Sequence, residues 1–438
     1  MGVLKNPILF FLVLIMLSSC ATAPFSHVDG VLRDGDYAES AALLEKHKKK
    51  LYKNRDAILY YLDKGLVTHY AGQYQDSSKL LENGERAIEA AFTKSVTAEI
   101  GSYLVNDTVK EYDGEDYEDI YLNVFNALNY YHRGNIEDAM VEIRRMNNKI
   151  RFLSAKYGVI KTNLQEKALE ESAEIPPNAD AELHFSDSAL ARYLGLLFYR
   201  DAGRYDDARI DQEGLKIAFA NTPDVYTHPL PSSIDNELEI PEGKARLNVL
   251  AFGGLSPVKQ EETLRIPISS SNYVKIALPV LVERSSQIKT VELVIENGPA
   301  FELELLEDIE AVARETFKEK QDVIYLKTVI RATMKGVTSS VLDAAASSDE
   351  IDGTTSLILS LLGFGNKIFA EASEQADLRI SRYFPGKAYI GGINLDPGTY
   401  SFTVNYRDSS GRSLASFRQE NIMIYKDRLN LLEAVCLK

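Results

Sequence analysis

Between Tyr112 and Tyr121 the chain reads YDGEDYEDIY, five carboxylates and three tyrosines in ten residues. Three kinds of chemistry could use such a set. Oxygen ligands at alternating positions over about twelve residues, closed by a late glutamate, would hold calcium. Two carboxylates of unequal acidity would act as the acid and base of glycan cleavage. Acids in a first helical turn would simply answer the unpaired N–H groups and the dipole there. The calcium reading fails on spacing, because DGEDYEDIYLNV has glycine in its second place and valine in its last. The residues that follow favour a helix. Tyr117, Tyr121, Val124, Leu128 and Tyr131 form one stripe, while Ile120, Leu122, Phe125 and Ala127 fill other faces, the pattern of a central buried helix.

On that helix Glu118 shares a face with Leu122, Phe125 and Asn129, so it points inward, where a lone carboxylate is costly. Glu115 lies nearer the solvated end. The next helix offers partners, since Asp138, Glu142, Arg145 and Lys149 share one face. The expectation is that Glu118 pairs with Arg144 or Arg145. Glu115, Glu118, Asn129, Glu142, Arg144 and Arg145 would then form a structural polar cluster or a partner groove. An enzyme would use Glu115 and Glu118 as catalytic acids instead; no catalytic residue is assigned.

Three further stretches could carry chemistry. FGGLSPVK, Phe252 to Lys259, offers Lys259 as an anion contact, but it has neither GK[ST] nor GxGxxG and reads first as a bulged strand end. Glu302, Glu304, Glu307, Asp308 and Glu310 could supply a glycan-cleaving pair. Leu305, Leu306, Ile309, Val312 and Phe317 instead predict an amphipathic helix there, with the acids on its wet face. SLILSLLGFGNKIFAEA, Ser356 to Ala372, is strongly apolar yet too short and interrupted to span a bilayer. It reads as a packed helix or as a patch for lipid or a partner, which would suit a carrier of an apolar ligand. No two of the six histidines lie closer than twenty residues, and HExxH, CxxC and GxSxG are missing. Neither metal nor cofactor is expected.

The N-terminus speaks to compartment. Lys5 precedes the apolar run Ile8 to Met16, and LSSC, Leu17 to Cys20, follows. LSSC resembles the lipobox of bacterial lipoproteins. That resemblance implies cleavage before Cys20 and acylation of its sulfur and amine, and several acyl chains anchor stably. Ala21 stands where enteric lipoproteins kept at the inner membrane have aspartate, which favours the outer membrane in a diderm host. Loss of Lys5 would take the net charge from −15 to −16. So acidic a chain argues against a nucleic-acid partner, and acyl chains, not basic residues, are expected to hold it at the membrane. With Cys20 acylated, Cys436 is left as a buried apolar thiol.

The elements that must position these residues fall into two halves. DGDYAES, AGQYQDS, RGNIEDA and AGRYDDA each place a glycine (Gly35, Gly72, Gly134, Gly203) five residues before a small residue (Ser40, Ser77, Ala139, Ala208). In a helix–turn–helix unit the glycine ends the first helix and the small residue admits the neighbour. The pattern resembles tetratricopeptide repeats in degenerate form, since the glycines are 37, 62 and 69 residues apart. Between Pro223 and Pro241 lie four of the fourteen prolines. Beyond them ARLNVLAF, YVKIALPVLV and TVELVIE read as strands, Leu303–Lys320 and Asp322–Ala346 as helices, and Lys387–Phe417 as strands joined by turns. The expected organisation is α+β in two domains. Residues 1–19 are signal peptide, 20–222 a tetratricopeptide-like helical domain, 223–244 a linker, and 245–438 an antiparallel sheet or sandwich with inserted helices.

YDGEDYEDIY with ALNYYHRGNIEDAMVEIRRMN, LAFGGLSPVKQE and EQADLRISRYFPGKAYIGGINLDPGTY resembles an uncharacterised family of bacterial envelope lipoproteins. The match runs through nearly the whole mature chain, apart from Arg379-Ile380-Ser381 and Phe384-Pro385, where the family tends to have RSW and Leu-Pro. The resemblance implies a tetratricopeptide-like half followed by a β-rich half. It names no reaction. The family's gene neighbours, lipoproteins that activate penicillin-binding proteins, imply a link to cell-wall synthesis. The function expected is a non-enzymatic envelope scaffold or adaptor for a protein partner; a glycan-acting enzyme and an apolar-ligand carrier are the alternatives.

Overall fold

A computed structural model describes residues 25–97, 107–170, 185–269, 272–334 and 375–438. Cys20 and the apolar stretch Ser356 to Ala372 lie outside them. The N-terminal half is helical and the C-terminal half is built of sheets, an α+β arrangement.

The helices pair across tight turns. Helices α1 (Ser26–Arg33) and α2 (Tyr37–Lys46) flank Gly35, and after the single turn α3 (Lys48–Leu51), α4 (Ala57–Tyr70) and α5 (Tyr74–Thr97) flank Gly72. Helices α6 (Asp116–His132) and α7 (Ile136–Glu170) flank Gly134, and α8 (Ala189–Asp201) and α9 (Tyr205–Asn221) flank Gly203. All four glycines have positive φ, between 71° and 87°, which a side chain would strain. Ser40, Ser77, Ala139 and Ala208 are fully buried, as close helix approach requires. Helix α6 is central, with Asp116 and every residue from Ile120 to Asn129 buried.

Strands β10 (Asn430–Cys436), β1 (Ala245–Gly253), β7 (Lys387–Leu395) and β6 (Glu304–Asp308) form one sheet in that order. Here β1 runs parallel to β10 and antiparallel to β7. A second sheet has the order β5 (Ala300–Glu302), β4 (Thr290–Ile295), β8 (Gly398–Arg407), β9 (Ser413–Ile424), while β2 (Val258–Ser269) and β3 (Asn272–Val282) form a hairpin. Among the described residues the sheets are therefore antiparallel except for the β1–β10 pair. Helix α10 (Ile309–Met334) leaves β6 directly.

Every residue of β1 is buried, and its two faces serve different neighbours. Ala245, Leu247, Val249 and Ala251 pack with Val291, Leu293, Phe402 and Val404 of the second sheet. Leu250 and Phe252 belong to the core shared with the helices. The first sheet is thus the middle of three layers. A strand covered on both faces needs no alternation, and β1 shows none in its burial. One expected element is corrected. Leu303–Asp308 is not the start of a helix, because Glu304–Asp308 pairs with β7 as strand β6.

Candidate functional site

Each acid of the opening stretch proves to be held by the chain itself. Gly114 turns the backbone with φ +84°, and Glu115 is the residue before the first turn of α6. Glu118 reaches back so that its Oε2 accepts from the Glu115 N–H at 2.9 Å and from the Tyr112 hydroxyl at 2.8 Å. Its Oε1 accepts from the Ser381 N–H at 2.5 Å. Glu115, 3 % exposed, accepts from Lys259 Nζ at 2.5 Å and Lys320 Nζ at 3.0 Å. Lys320 also bonds Asp113, Lys156 and Tyr157 hold Asp116, and Lys149 holds Asp119.

Two expectations are corrected here. Glu118 does not pair with Arg144 or Arg145, and Glu115 is not at a solvated end. Arg145 instead bridges Glu142 and Glu85, at 3.2 and 3.1 Å, with half its side chain in solvent. Arg144 is exposed and forms no ion pair among the described residues. Asn129 lies in a third cluster, described below. Six residues expected to act together are therefore distributed over separate groups. Lys259 does contact an anion, but that anion is Glu115.

The partners of Glu118 come from a segment that no local pattern singles out. After Glu118 binds Ser381 N–H, the Ser381 hydroxyl and the Arg382 N–H both donate to Asp63 Oδ1 at 2.7 Å, and the Tyr52 hydroxyl donates to Asp63 Oδ2 at 2.8 Å. Arg382 and Tyr383 reach Asp29, at 2.7 and 3.0 Å. Arg379 forks onto Asp377, bonds Asp56 and donates to the carbonyls of Asp107 and Lys110. Residues 377–384 thus lie across the helices, gripped by carboxylates of α1, α4 and α6. Burial, followed by repulsion from Glu115, pushes Glu118 up to about 8 against the donors aimed at it. Burial likewise lifts Asp63 to about 6.

Three more acids fasten sheet to helices, two of them fully buried. Glu307, expected on a wet helical face, is fully buried on β6. It accepts from Tyr121, from the Ser188 hydroxyl and from Leu190 N–H at the start of α8. Burial raises it to about 7. Glu237, in the proline-rich stretch, takes Arg200, Arg246 and Asn248.

The third, Glu433 of β10, lies between two histidines. Its Oε1 is 2.7 Å from His69 Nε2 and its Oε2 is 2.7 Å from His132 Nε2. The proton positions follow from the far end of the chain of bonds. Ser77 donates its hydroxyl to the Gly65 carbonyl, so it must accept from Asn129 Nδ2. That turns Asn129 Oδ1 towards His69 Nδ1, at 2.8 Å, and fixes a proton there. With the Glu433 carboxylate at its other nitrogen, His69 is an imidazolium. Burial opposes this, but Glu433 wins and the His69 pKa is raised; the histidines hold Glu433 well below the usual carboxylate range despite its burial. Neither His69 nor Glu433 stands out in the sequence, because they are 364 residues apart.

Among the described residues no group of three or more His, Cys, Asp or Glu is arranged to hold a metal ion. Cys436 is buried and carries a free thiol. No helix of the described residues is long and apolar enough to cross a membrane. No family model, curated protein or solved structure matches the chain.

Proposed function

We propose that the protein is an acyl-anchored lipoprotein of the cell envelope, held through Cys20 and facing the periplasm. It acts as a non-enzymatic scaffold or adaptor for a protein partner in cell-wall synthesis. In this reading residues 20–222 are degenerate tetratricopeptide-like hairpins, 223–244 join them to the rest, and 245–438 form the β-rich part. In a diderm host the outer membrane is the favoured site.

The observation that carries the reading is the fate of the acids. Asp63, Glu115, Glu118 and Glu307 are buried and bound by groups of this same chain, several of them more than 100 residues distant. They serve a joint between helices and sheet. An enzyme reading would draw on Glu118, because strongly shifted acids collect at active sites. A general acid must, however, come within about 3 Å of a substrate atom, and Glu118 is fully buried with both oxygens engaged. Helical hairpins that bury a common core leave their outer surfaces for partners.

Crosslinking in native membranes, followed by capture of the full chain, tests the proposal. A cell-wall synthase or its activator should be recovered with the wild type and depleted with Cys20→Ser, which should leave the membrane fraction. Cleavage of peptidoglycan by the purified protein, abolished by Glu118→Gln at unchanged melting temperature, would overturn it in favour of an enzyme.

A further inference from the structure

The chain is acidic as a whole, with net charge −15, yet one short stretch is the reverse. Lys46, Lys48, Lys49, Lys50 and Lys53 are all exposed, at the end of α2 and around the single turn α3. None of the five forms an ion pair among the described residues. The acids nearest in sequence are already engaged. Glu45 accepts from the Tyr60 hydroxyl at 2.6 Å and lies 3.5 Å from Lys64. Asp56 pairs with Arg379 at 3.1 Å. The patch therefore keeps its positive charge. It is also anchored: Lys48 Nζ lies 3.6 Å over the Tyr60 ring, and Tyr52, between Leu51 and Lys53, is buried.

The position of this patch identifies its partner. The Phe25 ring stacks edge-on against Tyr52 at 5.6 Å. Phe25 is five steps along the chain from Cys20, a covalent reach of no more than about 18 Å. A lipid on Cys20 would thus bring the membrane surface to the same side of the molecule as the lysines. We propose that this lysine patch is a membrane-facing surface that binds the phosphate-bearing headgroups of anionic lipids, acting beside the acyl anchor. The proposal rests on the lipoprotein reading for its geometry. The charge of the remaining molecule does not forbid it, because at physiological salt charges more than about 8 Å from the headgroups are screened. The total charge describes the whole molecule, and a membrane meets only one side of it.

The test uses the Cys20→Ser full mature chain, so that no acyl group contributes. It is sedimented with vesicles of phosphatidylcholine plus phosphatidylglycerol, and with vesicles of phosphatidylcholine alone, at low and high salt. Binding should occur only with the anionic vesicles and be lost in high salt. Lys49→Gln, Lys50→Gln and Lys53→Gln together should weaken it about a hundredfold, since each lysine at an anionic surface contributes roughly a factor of five. The corresponding arginine variant should bind like the parent. Equal sedimentation with both vesicle types, no sedimentation with either, or undiminished binding by the glutamine variant would overturn the proposal. Acylation of Cys20 is read separately, by fatty-acid labelling of the wild-type chain. Absence of label with anionic-vesicle binding intact would defeat the anchor and leave the patch standing.

Discussion

Glu433→Gln should destabilise the protein in a way that depends on pH. The substitution keeps shape but removes the charge facing His69 and His132, which belong to α4 and α6. The His69 side chain is 1 % exposed and that of Glu433 10 %. Breaking a buried pair by removing one partner costs about 3–5 kcal/mol. The lower end applies, because Glu433 keeps some solvent and His69 can release its proton, so about 3 kcal/mol is expected near pH 6. Unfolding entropy of about 2.1 cal/mol/K per residue converts this to a fall of roughly 3 °C for a cooperative unit of this size. The sign with pH follows from linkage. A histidine whose folded pKa is raised contributes fully below its unfolded value, about 6.5, and loses that contribution as pH rises through the folded value. The glutamine variant has no such contribution to lose, so the gap between the two proteins should narrow from pH 6 to pH 8. Glu118 and Glu307, raised to about 8 and 7, also make stability fall as pH rises above the usual carboxylate range. They do so in both proteins and cancel in the gap. Thermal melts of wild type and variant at pH 5, 6, 7 and 8 are the assay. A gap that stays constant over that range, or that is under about 0.5 kcal/mol at pH 6, would refute the imidazolium assignment.

Glu118→Gln leaves no guanidinium stranded, so the cost is set by one misplaced amide. With its oxygen kept towards Tyr112 and Glu115, the NH2 group meets the Ser381 N–H, which should cost about 1–3 kcal/mol in denaturant titrations near pH 6, and less as pH rises towards 8, where the wild type must bury a charge that the amide lacks. Lys259→Met should cost about 3 kcal/mol, since it strips the nearer of two cations from the buried Glu115 carboxylate. Adding Glu115→Gln should restore part of that loss, a coupling that a double-mutant cycle will read. Arg144→Ala, on the exposed face of α7, should change stability by less than about 0.5 kcal/mol.

Local order was legible in the amino-acid sequence wherever neighbours along the chain decide it. The stripe on α6 foretold a buried central helix because helical periodicity is set by residues three and four apart. The glycines at 35, 72, 134 and 203 marked turns because only the backbone at that residue must adopt positive φ. The strand ARLNVLAF was recognisable from its apolar run. What the sequence could not decide was which buried acid meets which donor. Glu118 looks towards α7 on a helical wheel, yet its partner is Ser381, 263 residues on. The same holds for Leu303–Asp308, whose spacing suits a helix but whose strand partner, β7, begins at Lys387. Periodicity reports how a segment is buried, not against what. The joint between helices and sheet is made of contacts between distant segments, and packing three layers together is what selects them.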